Sequence, residues 1–470
     1  MARKLGVIVL AAGEGKRMHS PVAKVLHPVC GRPMLDRVLD AAAGLTPGET
    51  VVVVSPLRPE VKTHAEGRGF RTEIQKRPLG TGDAVRAGLA GLRTADDILV
   101  VCGDTPLLDT GTLREFVRFH HSSEAAISVL TANVESPTGY GRVIRGPGGD
   151  VERIAEEKDA TRDEKAVREI NSGVYVFGRK DLARWIAGLR PANSQNEYYL
   201  TDTVGLARGE HSRIAAWKIE TAARVKGVNT QAERREAEAW LYEWTIGKLM
   251  AAGVVVDAGV SPRVDPEAAV APGAELGSGV EIRSGSVVGK GTRIDTGSII
   301  ESSSVGAGTH IKPYSVLSGS EVGKECEIGP FARLRPGSRI GDGCKIGNFV
   351  ETKKSVFGKG SKASHLAYIG DAKIGKNVNL GCGTITCNYD GYQKHETVIG
   401  DDVFIGSDSQ LVAPVTVGRG AYVASGSTIT ENVPADALAI ARSRQAVKPG
   451  RAKALRKRLS AGTRPRKAKK

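Results

Sequence analysis

The sequence predicts two folds in one chain: an α/β domain with a mostly parallel sheet, followed by a solenoid of parallel β-strands. Three observations carry this prediction. Apolar runs of strand length alternate with helix-length segments up to about residue 228, an aliphatic residue recurs at six-residue intervals between Val264 and Ile429, and a helical segment separates these regions. A chain of 470 residues has room for two or three domains with full cores.

The first domain is predicted from five apolar runs, which read GVIVLAA, TVVVVS, DILVVCGD, AISVLTA and GVYVF. Continuous apolar strands separated by helix-length segments are typical of a sheet that helices cover on both faces. The run nearest the N-terminus is short and ends in a glycine loop. This predicts a buried strand and not a signal peptide.

A glycine-rich turn, LAAGEGKRM, follows the first strand. Backbone N–H groups near Gly13 and Gly15 can approach phosphate oxygens, and Arg17 and Lys24 can neutralise their charge. The turn matches neither familiar phosphate-loop pattern, because Met18 holds the place of the third glycine in one and an arginine follows the lysine in the other. By itself such a turn is as often structural as phosphate-binding.

Two further segments support a ligand site. LGTGDA at residues 79–84 is a second glycine loop, and Asp104 directly follows a strand, at the carboxyl edge where open α/β sheets bind ligands. Asp104 alone would also fit a helix N-cap. Beside a phosphate loop, a carboxylate is the hard oxygen ligand that Mg²⁺ requires.

Many segments of this domain resemble the sugar-1-phosphate nucleotidyltransferases. They are LAAGEGKRM, AKVLHPVCGRPML, LGTGDA, GDTPLL, PTGYGR, EEKDAT, EINSGVYVF, NEYYLTD and KGVN. Their order and wording are similar to one family in particular, which joins an N-acetylglucosamine-1-phosphate uridylyltransferase to a glucosamine-1-phosphate N-acetyltransferase.

This resemblance implies in-line attack of the sugar phosphate on the α-phosphorus of UTP, with Asp104 and Asn229 as Mg²⁺ ligands and Arg17 and Lys24 stabilising transition-state charge. Asn229 would also fit a turn before the next helix. The nucleotide- and sugar-binding residues that the resemblance implies are Leu10, Ala11, Ala12, Gly13, Lys24, Gln75, Gly80, Thr81, Cys102, Gly103, Asp104, Gly141, Glu156, Asn171 and Asn229.

Three residues depart from the family pattern in this domain. Lys16 stands where the family usually has Thr, Ala23 where a Pro usually precedes the lysine, and Asp83 where a His is usual. The extra charge of Lys16 is tolerable beside a triphosphate, and we expect Asp83 to cap a helix. These departures bear on substrate affinity more than on the reaction.

Residues 230–251 form the clearest predicted helix. Thr230 and Glu233 make a capping box, and Gly253 lies just past the predicted end. The helix fits a rigid arm between domains or, alternatively, the last helix of the first domain. We therefore expect a uridylyltransferase domain over 1–228, a linker helix over 229–251, an acetyltransferase domain over 252–441 and a basic tail over 442–470. The expected apolar stripe of the helix is Ala237, Leu241, Trp244 and Met250.

The solenoid is predicted from a period of six, which is neither the 3.6 of a helix nor the 2 of an open sheet. Six residues fit one short strand and one turn, so three repeats make a triangular coil whose aliphatic residues stack inward. Roughly nine or ten coils at about 4.8 Å would give a prism on the order of 45 Å long. The registers are Val264, Val270, Leu276, Ile282, Val288, Ile294 and Ile300; Val322, Ile328, Leu334, Ile340 and Ile346; and Ile399, Ile405, Leu411, Val417, Val423 and Ile429.

The regular repeat lapses between Ile346 and Ile399, and irregular segments of a repeat often carry function. GPFARLRPG, NFVETKKS, SKASHLAYIGDAKIG, NVNLGCGTITCNYDGYQKHE and GSDSQLVAPV resemble the acetyltransferase half of the same family, whose hexapeptide repeats form a left-handed parallel β-helix. The resemblance implies that His365 is the general base that frees the amine of glucosamine 1-phosphate to attack acetyl-CoA.

The resemblance also implies the remaining contacts of the acetyltransferase and its assembly as a homotrimer with sites between adjacent prisms. Cys382 and Ser425 replace an alanine common in the family, so a role there must come from the backbone. Alone, Arg335 and Lys353 would be read as solvated surface charges. The implied glucosamine-phosphate contacts are Arg335, Lys353, Tyr368 and Asn379. The implied acetyl-CoA contacts are Cys382, Asn388, Tyr389, Ser407, Ser425 and Arg442.

The basic C-terminal tail accounts for most of the net charge of +15, because residues 442–470 contain thirteen Lys and Arg and no acid. Such a tail is typically a disordered, solvated extension. Nucleic-acid binding lacks support because no aromatic residue is interleaved, whereas attraction of the anionic acetyl-CoA fits a tail that begins at Arg442.

Six cysteines without CxxC or zinc spacing predict reduced thiols in a cytosolic protein. The sequence contains no apolar span of about 18 residues, so we expect no membrane-spanning segment. The main hypothesis is a bifunctional enzyme that makes UDP-N-acetylglucosamine. The alternatives are a nucleotidyltransferase whose β-helix only oligomerises, and a nucleic-acid-binding scaffold that uses the tail.

Overall fold

The computed structural model describes residues 3–461, and the chain divides into two compact units, Met1–Lys248 and Leu249–Lys470. The first unit is an α/β domain, and the second is a parallel β-helix followed by a helix. The predicted fold class is thereby confirmed. Two ends of the sequence considered above, residues 1–2 and the tail segment 462–470, lie outside the described residues.

Strands of the first unit alternate with helices along the chain. The strands are β1 Leu5–Leu10, β2 Pro28–Val29, β3 Arg32–Pro33, β4 Glu49–Val54, β5 Arg71–Ile74, β6 Asp97–Cys102, β7 Ile127–Asn133, β8 Arg142–Arg145, β9 Val151–Ala155, β10 Glu169–Gly178 and β11 Ile214–Ile219. The helices are α1 Met34–Ala43, α2 Pro59–Gly67, α3 Thr81–Gly91, α4 Thr110–Ser123, α5 Arg162–Lys165, α6 Arg179–Gly188, α7 Asp202–Gly209 and α8 Gln231–Ala251, with 3-10 turns at Lys16–Met18, Lys24–Leu26 and Ala222–Val225.

The main sheet has the strand order β11-β7-β10-β6-β1-β4-β5, with β8 and β9 joined at β10. Strands β6, β1, β4 and β5 run parallel to one another. Strand β10 runs antiparallel to both β6 and β7, so the sheet is mostly but not wholly parallel. The carboxyl ends of β6, β1, β4 and β5 consequently share one edge.

Both faces of this sheet are covered, as the continuous apolar runs predict. In β1, Val7 and Val9 belong to one buried cluster with Leu39 of α1. Ile8 points to the opposite face, where it joins a second cluster that contains Val85 of α3. Burial on both sides leaves the strand ends as the exposed part of the sheet, and that is where a ligand site can form.

The second unit consists of short strands wound into coils. Its strands are β12 Val255–Val256, β13 Arg263–Val264, β14 Ala269–Val270, β15 Glu275–Leu276, β16 Glu281–Ile282, β17 Val287–Val288, β18 Arg293–Ile294, β19 Ile299–Glu301, β20 Ser304–Val305, β21 His310–Ile311, β22 Val316–Ser318, β23 Glu321–Val322, β24 Glu327–Ile328, β25 Arg333–Leu334, β26 Arg339–Ile340, β27 Lys345–Phe357, β28 Lys362–Ile374, β29 Asn379–Leu380, β30 Ile385–Cys387, β31 Thr397–Ile399, β32 Phe404–Ile405, β33 Gln410–Val412, β34 Val415–Val417, β35 Tyr422–Val423, β36 Thr428–Ile429 and β37 Leu438–Ala439, and its helix is α9 Arg451–Ala461.

Each short strand pairs in parallel with the third strand after it, so three strands complete one coil. Leu276 pairs with Ile294, for example, and Ile294 pairs with Ile311. Every aliphatic residue of the three predicted registers is buried except Val270, which is half-buried in an early coil. The predicted inward stacking is therefore confirmed.

A second buried row consists of small polar residues, two positions before the aliphatic ones. Thr292, Ser298 and Thr309 each donate a hydroxyl hydrogen bond to a backbone carbonyl fourteen residues further on, at 3.1, 3.0 and 2.8 Å. These bonds satisfy carbonyls at the corners that the coil-to-coil strand pairing leaves without a donor. The row also follows the six-residue period, although the sequence analysis did not identify it.

The helix α8 begins and ends as predicted. The Glu233 amide donates to Thr230 Oγ1 at 3.2 Å, and the Thr230 amide donates to Glu233 Oε2 at 2.9 Å, which completes the capping box. Gly253 follows the last turn with a φ of 91°. The predicted stripe is wrong at Met250, whose side chain is exposed, because the buried face turns instead to Thr245 and Ile246.

The start of the tail differs from the expected disordered extension. Arg451–Ala461 forms helix α9, in which every residue is exposed. Its residues are mostly good helix formers, Ala, Leu, Lys and Arg, which explains a helix without a packed face. None of the helices within residues 3–461 has the length and apolar character needed to cross a membrane.

The stacked core can be tested with two adjacent valines of β17. Val288 is 1% exposed and Val287 is 51% exposed. We expect Val288→Ala to destabilise the second unit by about 2 kcal/mol, because it removes buried methyl groups and leaves a cavity. Hydrogen exchange of the β-helix amides, followed by mass spectrometry, measures this unit separately. Val287→Ala is the matched control, and equal loss of protection in both variants would contradict the inward stacking.

Candidate active sites in two units

A cleft of about 260 Å³ opens at the carboxyl edge of the first unit's sheet. The residues from the sequence prediction that line it are Leu10, Ala11, Ala12, Gly13, Lys24, Gln75, Gly80, Thr81, Cys102 and Asp104. The lining residues that the sequence analysis did not single out are Glu14, Val25, Pro78, Ala84 and Glu197. Glu14 and Val25 lie next to a predicted residue in the chain, and Ala84 and Glu197 lie within the segments LGTGDA and NEYYLTD, so position in these segments was the available signal.

The first glycine turn is held against the sheet by backbone hydrogen bonds. The Ala11 amide donates to the Val53 carbonyl at 2.9 Å, and the Gly103 amide donates to the Leu10 carbonyl at 2.8 Å. Gly15 adopts a φ of 68°, and a Cβ there would lie 2.6 Å from Lys24 Cβ. A glycine is therefore required for the turn to pass this close to Lys24.

Lys24 bridges the two residues expected to hold a metal. Its ammonium forms an ion pair with Asp104 Oδ2 and donates to Asn229 Oδ1 at 3.0 Å. The two oxygens thus converge on one point, although 125 positions separate their residues in the chain. A carboxylate and an amide oxygen are hard ligands of the type that Mg²⁺ takes, so this donor pair fits the expected ion.

The second glycine loop is anchored by the segment NEYYLTD. The Tyr198 amide donates to the Leu79 carbonyl at 2.7 Å, the Gly82 amide donates to the Tyr198 carbonyl at 2.7 Å, and the Leu200 amide donates to Thr81 Oγ1 at 3.0 Å. The expectation that Asp83 caps a helix is wrong, because the N-cap of α3 is Gly80 and Asp83 lies within the first turn. Asp83 instead accepts hydrogen bonds from neighbouring side chains.

Gly141, Glu156 and Asn171 lie together on β10 and the segments beside it. The Asn171 amide donates to the Gly141 carbonyl at 2.8 Å, and a Cβ on Gly141 would lie 3.4 Å from Glu156 Oε2. Thr201 Oγ1 donates to Glu156 Oε1 at 2.9 Å. Burial raises the pKa of Glu156, and the nearby Asp202 adds to that effect. These groups form a polar patch suited to sugar hydroxyls.

Cys102, Gly103 and Arg17, which were also predicted as site residues of this unit, each have surroundings of a different kind. Burial raises the pKa of the Cys102 thiol to about 12, with a smaller contribution from Asp104, so this thiol is not a nucleophile. Gly103 is enclosed by the strand ends through its bond to Leu10. Arg17 lies exposed on the turn Lys16–Met18 and is not among the described residues that line the cleft.

His365 heads a column of predicted residues along one corner of the β-helix. Ala363, Leu380, Ile405 and Val423 stack on successive coils. The residues two positions later are therefore also in register, about 4.8 Å apart from coil to coil. Arg442 Nη1 donates to the Ser425 carbonyl at 2.6 Å and so joins the far end of the column. The column consists of His365, Cys382, Ser407 and Ser425.

A cationic cluster occupies the adjacent face of the same coils. Arg335 donates to Glu351 Oε1 at 2.7 Å, and Lys353 follows Glu351 by two residues on β27. The Lys394 ammonium, together with Arg335, holds the pKa of Lys353 below its usual value. Three cationic side chains this close, one of them paired with Glu351, can bind an anion such as a phosphate. Lys394 was missed by the sequence analysis, although it lies in the quoted segment NYDGYQKHE.

Tyr368 and Asn388 are neighbours on this face. A Cβ on Gly370 would lie 2.5 Å from the Tyr368 hydroxyl and 2.8 Å from Asn388 Nδ2, so both atoms converge over one glycine. Asn379 lies on β29 and pairs with Phe404, on the face at the other side of the His365 corner. Within one chain, Asn379 and the cationic cluster therefore lie on different faces of the β-helix.

The inserted loop that carries Tyr389 and Lys394 is organised around Asp390. Asp390 accepts from the Tyr392 and Gln393 amides at 2.8 and 2.7 Å, and from His395 Nε2 at 2.6 Å. The Gln393 amide, His395 and the Tyr392 amide together hold the pKa of Asp390 far below its usual value. The loop thus projects exposed side chains from a fixed base.

Fold and sites together define a nucleotidyltransferase joined to a hexapeptide-repeat acyltransferase. A family model described as the MobA-like NTP transferase domain matches residues 7–197, and one described as bacterial transferase hexapeptide (six repeats) matches 319–354 and 396–431. Proteins named "Bifunctional protein GlmU" match nearly the whole chain. The one from Pelobacter propionicus is 45% identical over 95% of this chain and 97% of its own length.

Two other relatives of the same name match equally well. The one from Trichlorobacter lovleyi is 44% identical over 94% of this chain and 97% of its own, and the one from Sorangium cellulosum is 46% identical over 97% of each. The chain belongs to the family of bifunctional GlmU proteins. The predicted family, the bifunctional transferase activity and the synthesis of UDP-N-acetylglucosamine are confirmed, and a single-function nucleotidyltransferase and a nucleic-acid scaffold are disfavoured.

The cationic cluster makes a prediction about proton binding. We expect Lys394→Ala to raise the pKa of Lys353, because the variant removes a like charge beside it. Lys353 then keeps its proton to higher pH, which an NMR titration of its ε-methylene group measures. Lys373→Ala is the control, since Lys373 is paired with Glu396 at 3.0 Å. An unchanged titration curve in Lys394→Ala would show that the two ammonium groups do not interact.

Proposed function

We propose that the two sites act in sequence, acetyl transfer in the second unit and then uridylyl transfer in the first. The observation that carries this proposal is the column of His365, Cys382, Ser407 and Ser425, which gives a base and a binding edge to one corner of the β-helix. The first unit separately supplies the Lys24, Asp104 and Asn229 constellation that a phosphoryl transfer needs.

In acetyl transfer, His365 removes a proton from the ammonium group of glucosamine 1-phosphate, and the freed amine attacks the thioester carbonyl carbon. The carbon–sulfur bond then breaks, the nitrogen loses its second proton, and the departing thiolate of coenzyme A takes up a proton to leave as the thiol. Arg335 and Lys353 hold the sugar phosphate, with Lys394 beside them, while Tyr368 and Asn379 complete that pocket. Acetyl-CoA lies along the column to Arg442, with Asn388 and Tyr389 as further contacts.

In uridylyl transfer, an oxygen of N-acetylglucosamine 1-phosphate attacks the α-phosphorus of UTP, and pyrophosphate departs. Lys24 and the backbone N–H groups of residues 10–13 bind and orient the phosphates. Asp104 and Asn229 would hold Mg²⁺, which would neutralise phosphate charge when bound. Arg17 supplies further positive charge at the exposed turn. The sugar is oriented by Gly141, Glu156 and Asn171.

We also propose a homotrimer in which each acetyltransferase site combines faces of two chains. Two features support this assembly: the separation of Asn379 from the cationic cluster, and an exposed ladder of apolar side chains beside the His365 column. In the ladder, Tyr314 stacks on Phe331 and Phe331 stacks on Phe349, with ring centroids 5.4 and 5.5 Å apart, and Leu366 follows on the next coil. A contiguous apolar strip of this kind favours contact with another protein surface.

We also propose that the uridylyltransferase spans residues 1–228, the linker helix 229–251, the acetyltransferase 252–441 and the basic tail 442–470. UTP and acetyl-CoA are cytoplasmic metabolites, which supports a cytoplasmic enzyme, and UDP-N-acetylglucosamine feeds cell-wall synthesis. The tail begins at the acetyl-CoA edge, so its charge is placed to attract that anion.

Two variants of the full chain test the division of labour. In an incubation with glucosamine 1-phosphate, acetyl-CoA, UTP and Mg²⁺, we expect the wild type to form UDP-N-acetylglucosamine, detected by mass. His365→Ala should lower acetyl transfer by about 10³, as expected for loss of a general base, yet convert supplied N-acetylglucosamine 1-phosphate normally. Asp104→Ala should accumulate N-acetylglucosamine 1-phosphate, as should omission of Mg²⁺. Equal acetyl transfer by the wild type and His365→Ala would refute the assignment of the base.

The trimer is tested by placing charge on the apolar ladder. We expect Phe331→Glu to reduce the mass in light scattering from three chains towards one, because a buried carboxylate would lack a partner. Acetyl transfer should fall with the mass, while uridylyl transfer persists. Val260→Glu, at an exposed position of the first coils, is the control. A wild-type mass of one chain, or an unchanged mass in Phe331→Glu, argues against an interface at the ladder.

A further inference from the structure

The side-chain amide of Gln75 is held in one orientation by two acceptors. Its Nε2 donates to the Gly80 carbonyl at 3.0 Å and to Asp83 Oδ2 at 3.1 Å. A carbonyl oxygen and an ionised carboxylate can only accept hydrogen bonds. Rotating the amide by 180° would set Oε1 against two acceptors, so the chemistry of the partners fixes Nε2 towards them.

This orientation leaves Gln75 with only an acceptor to offer a ligand. Both amide hydrogens are used by Gly80 and Asp83, and the residue is 7% exposed while it lines the cleft. Within residues 3–461, no donor is seen on Gln75 Oε1, and this oxygen is not among the fully buried atoms without a partner. Oε1 is therefore the atom available to a molecule bound in the cleft.

Gln75 lies at the opposite end of the cleft from Asp104, where the phosphates are proposed to bind. It follows β5, whereas Asp104 follows β6, and the strand order β6-β1-β4-β5 separates the two by three strand spacings, roughly 14 Å. Lys24 and the first glycine turn are at the Asp104 end. Pro78 and Ala84 line the cleft with Gln75, and their apolar surfaces suit the face of a base.

We propose that Asp83 is a specificity-determining positioning residue, which makes Gln75 present its carbonyl oxygen to the nucleotide base and so selects a base with a ring N–H over one with a bare ring nitrogen. This inference rests on the proposed nucleotidyl transfer in the same cleft. Uracil carries such an N–H at N3. Cytosine has an unprotonated N3, which would face Oε1 as a second acceptor.

Arg86 contacts the carboxylate oxygen of Asp83 that does not bind Gln75. Arg86 Nη1 contacts Asp83 Oδ1 at 3.2 Å, its Nη2 donates to the Ile186 carbonyl at 3.0 Å, and its guanidinium lies 4.9 Å from the centre of the Tyr198 ring. One carboxylate oxygen thus binds Arg86 and the other binds Gln75. A histidine, usual in the family at this position, donates or accepts depending on its tautomer, whereas an aspartate here always accepts.

The test measures how strongly UTP is preferred to CTP at equilibrium. Isothermal titration of the full-length wild type with each nucleotide and Mg²⁺ gives the ratio of the Kd for CTP to the Kd for UTP. We expect Asp83→Ala to lower this ratio by about tenfold, the size expected from losing one hydrogen bond to a charged group. Asp83→Asn keeps an acceptor oxygen and should retain more of the preference, and it also serves if the alanine variant does not fold.

Arg86→Gln is the matched control, because it removes the ion pair and the ring contact while Asp83 remains to bind Gln75. We expect it to keep the ratio within about twofold of the wild type. The inference is overturned if Asp83→Ala and Asp83→Asn both keep the wild-type ratio, or if Arg86→Gln lowers the ratio as much as Asp83→Ala does.

Turnover is measured separately, so that the two proposals can fail independently. UTP binding with an Asp83-dependent ratio but no uridylyl transfer would refute the proposed function and leave the base selection intact. Uridylyl transfer with an Asp83-independent ratio would refute the base selection alone. A wild type that does not bind UTP would overturn both.

Discussion

The register between successive coils is the constraint on which the second unit depends. Each buried aliphatic residue stacks on its counterpart one coil away, and this fixes the backbone of every position between them. A residue two places after a stacked aliphatic residue must therefore lie above its counterpart in the next coil. His365, Cys382, Ser407 and Ser425 are aligned for this reason and not because their side chains contact one another. The proposed acetyl-transfer site is therefore a consequence of the core.

The first unit reaches a comparable result by a different route. Its parallel strands end at one edge, where β1 leads into the first glycine turn and β6 into Asp104. Asn229 comes from the far end of the unit, directly before α8, and its own amide donates to Glu233 Oε2 at 2.6 Å. The capping box that starts the helix thus also fixes a candidate metal ligand. The Lys24 ammonium therefore contacts one residue placed by the sheet, Asp104, and one placed by the start of α8, Asn229.

Much of this architecture could be predicted from the sequence because the determining patterns are periodic or local. The six-residue period predicted the stacked core, and Thr230 with Glu233 predicted the helix start. The sequence was less informative where a residue acts through a distant partner. Lys394 became a candidate only when the inserted loop placed it beside Lys353. Asp83 was expected to cap α3, since its bond to Gln75 joins two separate segments and does not show in the local sequence. The prediction that Met250 is buried was wrong because packing alone decides which face of the last helical turn is covered.

Both candidate sites concentrate charge, and neither presents an activated protein nucleophile among the described residues. Cys102, which lies close to the candidate metal ligand Asp104, has a pKa raised to about 12 and remains protonated. In the second unit, the neighbouring Lys394 and Arg335 lower the pKa of Lys353. Glu351 and Asp371 offset part of this positive charge, and a bound phosphate would offset more of it while forming ion pairs. In the first unit, the bonds of the Lys24 ammonium to Asp104 and Asn229 show that a cation fits between their oxygens. Binding and orientation of anionic substrates are therefore the chemistry for which both units are built.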